Sequence, residues 1–262
     1  RFELALRQLD PTLYLPYWDS TLDGALHQPG DSVLFSDHFL GTTNATGDVA
    51  TGMFAGWRTI EGRPNIRRAV GEEGSCFTEA DVQYTLNQSA VDKVLAFSVP
   101  QKGCAFLKDY SSLEHTHGLV HLFVGGDMYH PETAANDPLF FLHHSFIDHI
   151  WELWRQSRQS RRARESAYPP DNQQCASPLH FAAANLQPFA SFRNVDGLSN
   201  AYTDHLYEYA SPPACPNCGE SKYLFCDSAR GRCVAKVRLG GLCTGFVRGS
   251  PVCYEGQCRG GR

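Results

Sequence analysis

Histidine is the residue whose type and spacing could do chemistry in this chain. Of its eleven histidines, His115, His117, His121, His143, His144 and His149 fall in two short stretches, LEHTHGLVHLFVGGDM and NDPLFFLHHSFIDHIWELW. Neutral imidazole is the commonest metal ligand in proteins. His117 and His121 are four residues apart, which on a helix puts both rings on one face with Cβ atoms about 5–6 Å apart. A third ligand has to come from the second stretch. Neighbours on a helix point about 100° apart, so only one of His143 and His144 can face the first pair. We choose His144. Asp148 lies four residues on, where its carboxylate could accept a hydrogen bond from a ligand imidazole, and Phe141, Asp148 and Trp151 share its side. His143 shares its own side with Phe140 and Ile147, which keeps it in play. Three imidazoles with an open position suit copper or zinc. Gly118 stands where the glutamate of an HExxH metalloprotease would be. His115, His130 and His149 read as surface or structural.

The elements that must carry these rings are legible too. Leu113 to Val124 has helical spacing and ends at Gly125-Gly126. Asn136-Asp137-Pro138 is a helix start, a capping residue followed by proline in the first turn. The helix it opens is expected to run to about Ala163, burying Phe140, Phe141, Ile147, Ile150, Trp151 and Trp154. Its far end, RQSRQSRRARE, turns basic. That run reads as a solvated helix end whose arginines complement the dipole; a protease-sensitive or phosphate-binding segment is the other reading. RFELALRQLDP has an apolar helical stripe stopped at Asp10-Pro11 but no capping residue before Arg1, so the chain is expected to be a fragment with its start upstream. Residues 25–75 read as long loops. Two short helices are expected after Thr78, the second over Asp92 to Phe97.

The net charge of −5 gives no reason to expect nucleic acid, and no apolar run approaches the ~18 residues of a membrane-spanning helix. Ten cysteines, seven of them after Ser211-Pro-Pro213, point to disulfides and hence to secretion. Cys215-Pro-Asn-Cys218 has the spacing of half a zinc site with no second half. The odd split, three in the body and seven in the tail, predicts Cys76–Cys104 as a loop closure and Cys175 as the link to the tail. Asn44-Ala-Thr46 and Asn87-Gln-Ser89 are glycosylation acceptor sequences. The expected division is a body of residues 1–212 and a small Cys-rich module of 213–262.

HGLVH, GGDM and NDPLFFLHHSFIDHIWELW together resemble the copper-B half of the tyrosinase family of type 3 copper proteins. RFELALR and LPYWDS resemble the segment just after that family's copper-A half. The tail and DGLSNAYTDHLYEY resemble the secreted tyrosinase-like proteins of nematodes. The resemblance implies a mainly α fold, an antiparallel helix bundle incomplete at its N-terminus, with long loops and a disulfide-rich C-terminal module. It implies two copper ions in the parent protein, one of them, copper B, held here by His117, His121 and His144. It carries over Asp148 as a carboxylate supporting the site and Phe140 as a ring packed on the ligand imidazoles.

Two departures qualify it. The copper-A histidines are absent, so this chain supplies half of a dinuclear centre. Gly118 stands where efficient monophenol hydroxylases of the family often have Asn, which helps a nearby Glu hold a basic water; Gly favours diphenol oxidation, and Glu114, the nearby carboxylate on the preceding turn, is the candidate for that catalytic Glu. The expected function is a secreted phenol oxidase turning an o-diphenol into an o-quinone with dioxygen, active only with the copper-A half. A haemocyanin-like oxygen carrier and an inactive secreted module are the alternatives.

Overall fold

The computed structural model describes residues 2–95 and 100–262. The secondary structure is mainly helical: α1 (Phe2–Leu9), α2 (Thr21–Gly24), α3 (Glu79–Leu86), α4 (Asp92–Leu95), α5 (Leu113–Val124), α6 (Leu139–Arg158), α7 (Arg161–Ser166) and α8 (Ala201–His205), with one antiparallel hairpin of β1 (Leu224–Asp227) and β2 (Arg232–Ala235). Single 3₁₀ turns and long loops join them. α5 has the bounds its apolar spacing predicts. The second of the short helices expected after Thr78 is present as α4 up to Leu95, the last residue described there, and Phe97 lies outside the described residues. The long helix ends at Arg158, short of Ala163, because Ser160 turns extended and its hydroxyl caps a separate helix by accepting from the Ala163 amide at 3.2 Å. No helix among the described residues is long and apolar enough to cross a membrane.

Contacts divide the chain into two compact units. The first comprises Arg1–Thr78, Gly118–Phe146 and Ser211–Arg262. Its framework is a clip that loop 59–69 makes on the connection between α5 and α6. Gly125 and Gly126 end α5 at positive φ (63° and 55°), and a Cβ on Gly126 would lie 2.1 Å from the Arg67 carbonyl. That absence of side chains lets the two backbones meet: Ala69 N donates to Val124 O and Asp127 N to Arg67 O, both at 2.9 Å. Arg63 forks onto the Asp127 carboxylate, which also accepts from the Arg67 amide at 2.7 Å. Arg68 forks onto Asp137 at 2.6 and 2.8 Å, and its remaining nitrogen donates to Leu40 O. Asp137 also accepts from the Leu139 amide, capping the start of α6.

The tail belongs to this unit. Cys215–Cys226, Cys218–Cys233 and Cys243–Cys258 staple it internally. Staples do not act alone: Phe225, Val234, Val237 and Val252 share a core with Leu26, and Leu22 and Ala25 pack against it. Arg232 donates to Thr21 O and Arg238 to Phe35 O.

The second unit comprises Glu79–His117 and Ile147–Ala210. Buried Trp154 donates its indole N–H to Gln88 O at 2.8 Å. Buried Arg155 pairs with Glu152 and donates to Leu198 O. Cys104–Cys175 closes this unit with Cα atoms 4.6 Å apart. This corrects both predicted pairings. Cys175 stays inside the body, and Cys76 is a free, buried thiol beside Gly24, with Cys253 free in the tail. Counting parity fails because it assumes that every cysteine is paired.

Two outcomes follow. Replacing Arg68 with Met strands a buried carboxylate and is expected to cost about 3–5 kcal/mol in denaturant unfolding. Asp23 is buried and accepts from Trp18 Nε1 at 2.8 Å and Ser32 Oγ at 2.5 Å; burial pushes its pKa up to about 6. The folded state therefore holds this proton more tightly than the unfolded chain. The contribution is complete below pH ~4 and lost as pH rises through ~6, roughly 3 kcal/mol in all. Asp23→Asn is expected to flatten that part of the stability–pH curve.

Candidate metal centre

α5 presents His117 and His121 one turn apart on its length, both half-buried. Their tautomers are fixed by backbone oxygens. His117 Nδ1 lies 2.9 Å from Glu114 O and His121 Nδ1 lies 2.9 Å from Met128 O. A carbonyl only accepts, so each Nδ1 carries the proton and each Nε2 keeps its lone pair for a metal. The second of these contacts depends on the fold clip, since Met128 follows the Gly125-Gly126 turn that loop 59–69 holds.

α6 brings up both members of the histidine pair. The Nε2 atoms of His121 and His144 face each other 3.1 Å apart. Two ring nitrogens sharing an ion at about 2.0–2.1 Å from each require close to that separation. The ring nitrogens of His117, His121 and His143 also lie within 4.8 Å of one another, so those three could hold a metal ion. The two α6 rings differ in surroundings. His143 is fully buried, with Trp18 and Phe77 rings 6.1 and 6.2 Å from its own. His144 is half-buried, and Phe140 packs on it with ring centroids 4.1 Å apart. The placement of Phe140 on the imidazoles, 6.0 Å from His121 as well, matches the sequence reading.

The two carboxylates singled out from sequence have different surroundings. Glu114 is exposed; its carboxylate lies 3.7 Å from His117 Nδ1, and its closer contact is through its main-chain oxygen. Asp148 accepts from Tyr207 Oη at 2.8 Å and Tyr209 Oη at 2.5 Å. Burial and the Asp148 charge hold both phenols far above their ordinary pKa, so they remain donors. Spacing could not reveal this, because the tyrosines lie about sixty residues downstream in a segment without periodicity. The stretch DGLSNAYTDHLYEY carried the signal only as a resemblance. His149 is buried beside Tyr209, and burial lowers its pKa.

The family model for the common central domain of tyrosinase matches residues 1–157. The chain belongs to the tyrosinase family. Among its relatives is a Caenorhabditis elegans chain named as tyrosinase-like, tyr-3, 49% identical over 267 residues, covering all of this chain and 38% of its own length. Tyrosinase-like protein 1 of Margaritifera margaritifera is 34% identical over 86% of this chain and 45% of its own. The tyrosinase of Streptomyces antibioticus is 34% identical over 57% of this chain and 56% of its own. The chain thus spans less than half the length of the first two. Tyrosinases bind copper, and His117, His121 and His143 or His144 are the donors this chain offers for it.

Gly118, between the two α5 histidines, differs from the glycines that end the helix: a Cβ there meets nothing within 4 Å. Gly118→Ala is expected to raise stability by about 0.5–1 kcal/mol through helix propensity. Gly126→Ala, forced against Arg67 O, is expected to lower the melting temperature in the same assay.

Proposed function

We propose that this chain is the copper-B half of a secreted phenol oxidase that turns an o-diphenol into an o-quinone with dioxygen once a copper-A half is supplied. On this reading residues 1–212 complete the copper-binding helix bundle and 213–262 form its Cys-rich module. One observation carries it: the ring nitrogens of His117, His121 and His143 lie within 4.8 Å of one another and His144 Nε2 lies 3.1 Å from His121 Nε2, with the two α5 tautomers set by main-chain oxygens. His117, His121 and His144 are the proposed ligands. His144 is preferred to His143 because its half-exposed ring leaves a face open toward a small reactant, whereas His143 is walled in by Trp18 and Phe77.

Copper bound there supplies one-electron redox chemistry toward dioxygen and a diphenol. The chain's own groups prepare the site for it. The Glu114 and Met128 carbonyls hold two rings in the metal-binding tautomer. Phe140, packed at a tilt on His144, limits ring rotation and keeps that side of the site apolar. Asp148 acts one turn further along α6 as an anchor; with Tyr207 and Tyr209 it fixes the rotation of the helix that carries His144. Glu114 is a weaker candidate for handling a substrate proton, since its carboxylate is solvated. Gly118 offers no side chain to orient a water, which favours diphenol oxidation over monophenol hydroxylation. Four disulfides and two acceptor sequences, at Asn44 and Asn87, support secretion. The cysteine staples also favour a single secreted unit over a repeated oxygen carrier.

Metal analysis of the reconstituted chain tests the ligand set. One copper per chain is expected, with His117→Ala, His121→Ala and His144→Ala each weakening binding by more than an order of magnitude while His143→Leu retains it. Copper that survives His144→Ala and is lost in a folded His143→Leu variant would transfer the role to His143.

A further inference from the structure

The arginine run that follows α6 plays no part in the metal centre. Arg158-Gln-Ser-Arg161-Arg162-Ala-Arg164-Glu165 contains two overlapping Arg-X-X-Arg frames, 158–161 and 161–164. This spacing suits the basic-specific endoproteases of the secretory route. Their acidic pockets take one guanidinium immediately before the cut and another three residues earlier, as paired carboxylates recognise arginine. Such enzymes read an extended strand, so the frame that unwinds at low cost is the one presented.

The structure separates the two frames. Arg158 is the last residue of α6, and its guanidinium donates to Leu86 O at 2.7 Å and to Asn87 Oδ1 at 3.0 Å. Presenting frame 158–161 means fraying a 20-residue helix. Frame 161–164 lies wholly within α7, a six-residue helix with no buried residue. A helix that short is not stable by itself. It is held by the Ser160 cap, by the exposed pair of Arg161 with Asp204, by Asn200 Nδ2 donating to Arg161 O at 3.0 Å and by Arg155 donating to Arg164 O at 3.1 Å. Exposed pairs contribute little, and helices without buried apolar contacts open locally ahead of the rest of a fold. Arg161, Arg162 and Glu165 are exposed.

We propose that the Arg164–Glu165 bond is a processing site for an endoprotease of the proprotein-convertase class, and that its product is a two-chain molecule. Water adds across the amide, leaving a carboxylate on Arg164 and a free amine on Glu165. The bond falls inside the loop closed by Cys104–Cys175, whose ends are 71 residues apart, while the other three bridges close entirely beyond it. Cys104–Cys175 is therefore the disulfide, among those described, that joins the products. The cut leaves His117, His121 and His144 on one product and Tyr207, Tyr209 and the tail on the other. The hydrogen bonds of the two tyrosines to Asp148 then run between the products. The proposal rests on the secretory reading only for where the protease is met; the site itself is tested on purified chain, without copper or activity.

The native full chain and a synthetic peptide of residues 157–168 are each treated with a recombinant convertase. Products of the chain are separated on denaturing gels with and without reductant, and new N-termini are sequenced. The expected result is cleavage of both substrates, one band for the chain without reductant, two with it, and a new N-terminus at Glu165. Arg164→Gln and Arg161→Gln are expected to slow cleavage of the chain by more than an order of magnitude, and Arg158→Gln to leave it unchanged. An intact native chain, whether or not the peptide is cut, overturns the proposal. So does a new N-terminus at Arg162, or fragments that part without reductant.

Discussion

The fork of Arg68 on Asp137 is the constraint on which the rest of the site depends. Both side chains are essentially inaccessible, at 1% and 0% exposure, so each buried charge is compensated by the other. Asp137 caps α6, and Arg68 belongs to the loop that also receives the end of α5 at Gly125-Gly126. One buried pair therefore ties the terminus of one histidine helix to the start of the other. The second fork, Arg63 on Asp127, fixes the turn between them, and the same turn delivers the Met128 carbonyl to His121. Metal-site precision here comes from an electrostatic clip on the connection more than from the helices themselves.

α6 is loaded at several points along its length. Asp137 holds its start, His143 is sunk among Trp18 and Phe77, Phe140 lies on His144, and one turn later Asp148 is gripped by two phenols. Asp137 before the histidine pair and Asp148 after it are thus both held by side chains from other segments of the chain. The two histidines of the pair thus divide their work by burial. One fills the interior beside aromatic rings, and the other keeps an exposed edge.

The cysteines show the same division between local and distant causes. The tail's three bridges join residues close in sequence, two of them on the hairpin strands, and the tail's core is completed by Leu22, Ala25 and Leu26 from the other end of the chain. The body bridge, Cys104–Cys175, joins residues far apart in sequence on the second unit. Cys76 is a buried free thiol, and burial together with the nearby Asp23 pushes its pKa up.

The family, the bounds of α5, the start of α6 and the set of candidate histidines were written in the sequence, because each rests on local periodicity, capping chemistry or a dense motif. Four-residue spacing places His117 and His121 on one helix in any fold that keeps that helix. Distant pairings were not legible. No spacing relates Arg68 to Asp137, Tyr209 to Asp148 or Cys104 to Cys175, and parity counting misassigned all three body cysteines. The break at Ser160 was missed because helical composition runs through it, while a single hydroxyl capping a new turn interrupts the ladder. Sequence determined which side chains could bind a metal and on which helices they ride. Tertiary structure decided which carbonyls set their tautomers, which member of the histidine pair is buried and what anchors the helix, because burial and long-range hydrogen bonds exist only once the chain has folded.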